Sequence, residues 1–237
     1  MRKFNRKNHE TRKITVEVDI NKNAAGSCII NYGKTRVICT ASIDEEIPKW
    51  LREKKTGWIT AEYGMLPGST NTRNKRESKV GKQSGRTIEI QRLIGRSLRS
   101  VVDLEKLTGY QIIIDCDVLN ADGGTRTASI TGGYVALCLA IKKLVNKGLI
   151  KENPIKDFVA AISCGIVKKK ILVDLDYDED SAAQVDANFV LSKTSGFSEI
   201  QISGEENTFN LGSVNEMIEK TEKSMEYIFK IQKDAIK

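Results

Sequence analysis

The run ADGGTRTAS at residues 121–129 constrains this chain more than any other stretch. It follows a strand-like segment, 111–118, and opens a helix-like one, 127–147. A glycine-rich turn between strand and helix leaves the backbone N–H groups of the helix N-terminus free to meet an anion. Arg126 adds a planar fork that suits phosphate, and the Thr125 hydroxyl adds a donor. The plainer alternative is a connecting loop with an exposed arginine. Neither G-x-x-x-x-G-K-S/T nor G-x-G-x-x-G occurs, which sets aside the P-loop and dinucleotide-binding enzymes. The expected anion is free phosphate or a phosphate of a polymer.

Charge is unevenly placed along the 237 residues. The formal net charge is +7, but residues 49–106 hold 14 Lys/Arg against 6 Asp/Glu, whereas residues 171–237 hold 6 Lys against 14 Asp/Glu. Such asymmetry suggests a basic surface for a polyanion and a separate acidic element. Solvated charge without a partner would look the same. The five cysteines form no C-x-x-C pair and sit mostly in apolar runs, as reduced buried thiols of a cytoplasmic protein do. No uninterrupted apolar run reaches membrane-spanning length, so no membrane partner is expected, and the basic residues 1–13 do not form a secretory signal.

Strand patterns cover 13–20, 27–31, 35–41 and 58–63, and the second and third flank a Tyr32-Gly33-Lys34 hairpin turn. Residues 66–85 read as a long flexible loop. Residues 86–104 read as a helix, with Ile90, Ile94, Leu98 and Val101 on its core stripe and Arg92, Arg96 and Arg99 on the other face. Arg86 stands at the helix start, where a cation opposes the macrodipole and a bound phosphate would account for it. Hairpins follow at 158–167 with 171–176 and at 185–191 with 197–202, then a helix at 214–236. Strands followed by helix occur twice, joined near Asn153-Pro154, which gives an α+β chain of one domain with related halves at about 1–150 and 155–237.

Asp174, Asp176, Asp178 and Asp180 alternate, with Glu179 among them and Asp186 beyond. The segment is either a solvated strand face and turn or a carboxylate site for Mg²⁺ or acid catalysis. His9 is the only histidine, which leaves acid–base work to Asp, Glu, Lys or a metal-bound water.

Four segments in order resemble the ribonuclease PH family: 57–77 (GWITAEYGMLPGSTNTRNKRE), 81–100 (GKQSGRTIEIQRLIGRSLRS), 115–133 (DCDVLNADGGTRTASITGG) and 179–188 (EDSAAQVDAN). The resemblance implies a two-layer αβ sandwich of two related β-then-α halves, assembled as a homohexamer, a trimer of dimers. It implies a phosphate-dependent 3′→5′ exoribonuclease, reversible as a nucleotidyltransferase, that trims 3′ extensions of transfer RNA precursors and ribosomal RNA. Its phosphate site falls on Arg86, Gly124, Thr125 and Arg126. Its catalytic or metal-binding aspartates fall on Asp180 and Asp186, with Mg²⁺ as the expected cation. Its basic residues fall on Arg73, Arg76, Arg92, Arg96 and Arg99, shared between RNA contacts and subunit interfaces. Gly68 replaces an arginine common in the family, and Gln201-Ile202-Ser203 departs from its pattern after the last strand. The alternatives are a non-catalytic RNA-binding ring subunit and a phosphorylase of free nucleosides. An intact set of site residues argues against the first, and an extended basic stripe against the second.

Overall fold

The computed structural model describes residues 2–237. Nine strands form two sheets. The first half supplies β1 (Ile14–Val18), β2 (Gly26–Tyr32), β3 (Thr35–Asp44), β4 (Trp58–Met65) and β5 (Gln111–Asn120), ordered β1-β2-β3-β5-β4. Every neighbour pair there is antiparallel except β4 with β5. The second half supplies β6 (Val159–Val167), β7 (Lys170–Val173), β8 (Val185–Ser192) and β9 (Gly196–Gly204), an antiparallel sheet ordered β7-β6-β8-β9. The long helices are α3 (Gly85–Ser100), α4 (Thr125–Asn146) and α6 (Leu211–Ala235); α1 (Lys49–Arg52), α2 (Glu77–Val80) and α5 (Tyr177–Ser181) are single turns. The architecture is the α+β arrangement of sheets and helices expected from the sequence.

Helix α4 holds the two sheets together. It is apolar nearly all round, and 16 of its 22 residues are buried, so one sheet alone could not cover it. It lies against β2 and β3 on one side and β6 on the other. Its length and composition would suit a membrane span, contrary to the expectation from uninterrupted runs; instead 78% of the apolar window is buried within the protein. A polar seam crosses this interior. The Tyr32 hydroxyl lies 3.1 Å from Thr131 Oγ1, which accepts from the Ala161 N–H at 3.1 Å. Gln232 of α6 donates to the carbonyls of Thr131 and Val159 at 3.1 and 2.9 Å.

Three local features differ from the sequence reading. The loop at 66–85 contains α2, closed by Gly81 at φ 83°. Strand β7 stops at Val173, because Asp174 turns left-handed at φ 56°. Beyond it the acidic run folds into α5, where Asp176 and Glu179 form a reciprocal capping box. The departure at 201–203 leaves the backbone regular: β9 runs through it, pairing Gln201 with Asn188 and Ser203 with Asp186.

Close approach of β2 to α4 depends on Gly26, where an added Cβ would sit 2.1 Å from the Ala136 carbonyl oxygen and 2.7 Å from the Ala140 nitrogen. Gly26→Ala should therefore destabilise the fold by about 3 kcal/mol in chemical denaturation. Gly68→Ala, with open space around it, should stay within about 0.5 kcal/mol.

Candidate active site

The turn after β5 places Gly123 and Gly124 at φ 77° and 66°, both in the left-handed region. Gly124 is the N-cap of α4 and contributes no side-chain cap, so the first amides of the helix remain open. Gly123 has a second requirement: a Cβ there would lie 2.4 Å from the Leu175 carbonyl oxygen, so only glycine lets the turn touch the segment leading into α5. Glycine at this position thus brings the turn before α4 against the acidic run.

Two arginines stand in the first turns of two helices. Arg86 is the second residue of α3 and Arg126 the second of α4, and neither first turn holds an acidic residue. Arg126 is tethered: its Nη1 donates to Gln201 Oε1 at 3.3 Å and lies 3.5 Å from Glu89 Oε2. Gln201 in turn donates to Glu89 Oε1 at 3.1 Å, so the 201–203 departure has a side-chain role beside the site. Arg86 is exposed and makes no hydrogen bond or ion pair among the described residues. The Tyr63 hydroxyl, on β4, lies 2.9 Å from Thr125 Oγ1. Burial pushes the Tyr63 phenol up, against the hydrogen bond with Thr125 and the charges of Arg86 and Arg126.

The carboxylates come from the other half of the chain. Asp180 lies on α5 and Asp186 on β8, opposite Gly165 and Ser203. Burial raises the Asp180 carboxyl above its ordinary value, opposed by Arg86, Arg126 and Arg12. Burial, and then the charge of Asp180, push Asp186 up to about 6, opposed by Arg126 and Arg86. Arg86, Arg126, Asp180 and Asp186 are therefore one electrostatic group. The remaining acidic residues have structural partners: Asp174 pairs with Arg12 at 2.6 Å, Glu179 with Arg2 at 2.7 Å, and Asp176 caps α5. Asp178 pairs with Lys3 at 2.5 Å. Among the described residues no group of three or more His, Cys, Asp or Glu is placed to hold a metal. Within the acidic run, Asp180 and the nearby Asp186 are the carboxylates with no hydrogen bond or ion pair to a side chain among the described residues.

The structure distributes the basic residues unevenly. Arg73 and Arg76 are exposed on the loop around α2, and Arg92 is exposed on α3. Arg76 and Arg86 line a cleft of about 520 Å³ over the outer face of the first sheet. Arg96 is paired with Glu199 at 2.9 Å. Arg99 donates to the Ile59 carbonyl at 2.7 Å and stacks 4.3 Å over the Trp58 ring, so it serves the packing of α3 on β4. The same cleft contains Glu62, Asp115 and Asp117, which the sequence reading passed over. Burial raises both aspartates above their usual range. Their alternation with the buried Ile114, Cys116 and Val118 was the available signal. Arg12 gave no comparable signal, since it belongs to no motif, and Tyr63 lies within the 57–77 segment without any pattern that sets it apart there.

Comparison with known proteins accounts for both halves. Residues 10–142 match the model of domain 1 of the 3′ exoribonuclease family, and residues 157–224 match that of its domain 2. Ribonuclease PH of Caulobacter vibrioides is 50% identical over 236 residues, covering 100% of this chain and 99% of the relative. Among solved structures, rice (Oryza sativa) Rrp46 has a TM-score of 0.81 at 16% identity, with all of both chains covered. An Archaeoglobus fulgidus exosome structure with RNA bound to its active site has a TM-score of 0.79 at 22% identity, covering 94% of this chain and 91% of that one. These two likenesses are of fold. The family matches and the full-length relative bear out the resemblance seen in the four motifs, and this chain belongs to the 3′ exoribonuclease family.

Proposed function

We propose that the chain is a phosphorolytic 3′→5′ exoribonuclease that trims transfer RNA precursors, releasing nucleoside 5′-diphosphates, with ribosomal RNA as a further substrate. The observation that carries this reading is the open N-terminus of α4, with Arg86 and Arg126, set against the Asp180–Asp186 pair. In the reaction an oxygen of inorganic phosphate attacks the terminal phosphodiester phosphorus. The bond from that phosphorus to the neighbouring ribose 3′-oxygen breaks, and this oxygen takes a proton. Two anions must approach each other, so the protein's main work is placement and neutralisation. The amides of 125–127, the Thr125 hydroxyl, Arg86 and Arg126 are suited to hold the attacking phosphate. Arg86 has its charge free for that use.

Asp180 is suited to hold or deliver the proton for the departing oxygen. Asp180 and Asp186 are also suited to hold Mg²⁺: the charge of Asp180 raises the proton affinity of Asp186, and Mg²⁺ is commonly bound by one or two carboxylates with substrate phosphates completing its shell. A bound Mg²⁺ would supply charge neutralisation at the leaving oxygen. The exposed Arg73, Arg76 and Arg92 suit the RNA backbone, and Arg96 and Arg99 a subunit or internal contact. Family membership supports a homohexamer, a trimer of dimers. Five free buried thiols support a reducing, cytoplasmic setting.

The deciding experiment uses an RNA with a single-stranded 3′ tail. With inorganic phosphate the purified protein should release nucleoside diphosphates; without it the RNA should stay intact. Diphosphates plus a primer should extend the 3′ end, because the bond broken and the bond formed are both phosphate linkages. Chromatography that found monophosphates in phosphate-free buffer would show a hydrolase instead, and neither product would show a binding subunit.

Arg86→Ala should lower kcat/KM for phosphate on the order of 10²-fold while RNA affinity, measured by gel shift, changes little. An unchanged phosphate dependence would remove Arg86 from the site.

Asp186→Asn should trade activity for stability. The folded-state pKa of about 6 lies above the ordinary 3.8, so the folded protein holds this proton more tightly than the unfolded one. Ionised Asp186 therefore costs stability, increasingly as the pH rises from the ordinary value through the folded one. In EDTA at pH 7.5 the variant should be more stable than wild type by about 1–2 kcal/mol, with no advantage near pH 3.5. Turnover in Mg²⁺ should fall on the order of 10²-fold. Equal stabilisation at both pH values would show that this carboxyl is not held under strain.

A further inference from the structure

Residues 2–12 contain no strand or long helix, only the short helical turn at Lys3–Asn5 and a reverse turn closed by Glu10 N–H on the Lys7 carbonyl. Three of their side chains are nevertheless among the most confined in the protein. Arg12 is 4% exposed, and its Nη2 and Nε hold the two Asp174 oxygens at 2.6 and 3.0 Å. Its Nη1 donates to the Asp122 carbonyl and its Nη2 to the Gly123 carbonyl, both in the phosphate turn. Arg2 grips both Glu179 oxygens at 2.7 and 2.8 Å and donates to the carbonyls of Val173 and Asp174 at 2.8 and 3.1 Å. Arg6 donates to the Asp174 carbonyl at 2.9 Å and reaches Glu179 Oε2 at 3.3 Å. A single guanidinium therefore holds the turn of one half and the acidic segment of the other, and two more fix the residue next to Asp180.

We propose that Arg12, with Arg2 and Arg6, is a positioning set that fixes the separation between the phosphate turn and Asp180. The argument rests on the phosphorolytic reading, in which the phosphate and the leaving oxygen need one fixed spacing. Arg12 touches both sides through separate groups: carbonyls of 122–123 on the turn and the Asp174 carboxylate on the segment before α5. An arm that only fastened the N-terminus would need no bond to the turn. Asp174 supports the same view: its left-handed backbone is unfavourable for a non-glycine residue and persists where surrounding contacts over-determine it. Those contacts include all three arginines.

The test is steady-state kinetics of RNA shortening on the full chain, varying phosphate and RNA separately. Arg12→Lys keeps the charge and loses the fork, so it cannot hold both sides at once. It should raise KM for phosphate and lower kcat, each on the order of 10-fold, with KM for RNA unchanged. Glu179→Gln releases only the acidic side, and should lower kcat about 10-fold with KM for phosphate unchanged. Wild-type constants in both variants, measured well below their unfolding temperatures, would make the arm a stabilising element and overturn the proposal, even if Tm fell. Should Arg12→Lys not fold, Glu179→Gln decides: an unchanged kcat overturns it. A wild-type protein indifferent to phosphate would overturn the phosphorolytic reading, and this proposal with it, so the two failures are told apart by which protein fails.

Discussion

Helix α4 must be covered on both sides, and most of the molecule follows from that requirement. A helix apolar around its circumference cannot lie on a single sheet without exposing its other face. Here β2 and β3 cover one side and β6 the other, so two sheets remote in sequence share one interior. The N-terminus of that helix then emerges where the halves meet. This is why a turn built by residues 122–124 finds itself against residues 175–176, and why the carboxylates nearest that turn come from the second half. The Tyr32–Thr131–Ala161 seam holds the same junction by polar contacts, so sliding of one sheet along the helix would strand buried polar groups.

Concentrated negative charge after β7 would be unfavourable if all of it faced one place. The fold divides it. Asp174, Asp176 and Glu179 accept from arginines and backbone amides, and Glu179 is held below its ordinary value despite burial, through Arg2 and Arg6. Among the described residues Asp180 and Asp186 have no such partners, and both are held above theirs. The opposite directions of shift at Glu179 and at the adjacent Asp180 therefore separate a carboxylate that holds the loop from one left without a cation in contact. Positive charge divides likewise: Arg2, Arg6 and Arg12 are internal, Arg126 is tethered to Gln201 and Glu89, and Arg86 is free.

Much of this was legible in the sequence, because the signals were local. The hairpin around Gly33, the long amphipathic helices and the glycine turn each follow from spacing and backbone preference within a few residues, and the structure has them within a few positions of their expected bounds. The arginine at the start of α3 was visible as a violation of helix electrostatics. What could not be read was anything decided by partners distant in the chain. The hairpin pattern predicted a strand over 171–176, but Asp174 turns left-handed and meets Arg12, 162 residues away. Arg92, Arg96 and Arg99 shared a face by periodicity, yet Glu199 and Trp58 give two of them separate surroundings. The basic arm carried no signal of its own because the partners of Arg2, Arg6 and Arg12 lie far along the chain, at residues 122–123 and 173–179.

Several local rules are broken in one place. Two helices begin with arginines and without acidic first turns, α4 begins without a side-chain cap, and two carboxyls sit where burial disfavours their charge. Each feature alone would be a modest cost anywhere on a protein. Their coincidence at the junction of the halves is what a fold tolerates when a ligand supplies the missing partner. A phosphate dianion at the open amides would satisfy the uncapped helix and pair Arg86 and Arg126 together. With those charges met, their pull on Asp180 and Asp186 weakens, and the two carboxyls hold protons, or a divalent cation, more readily. Phosphate binding would thus prepare the carboxylate side through charge alone.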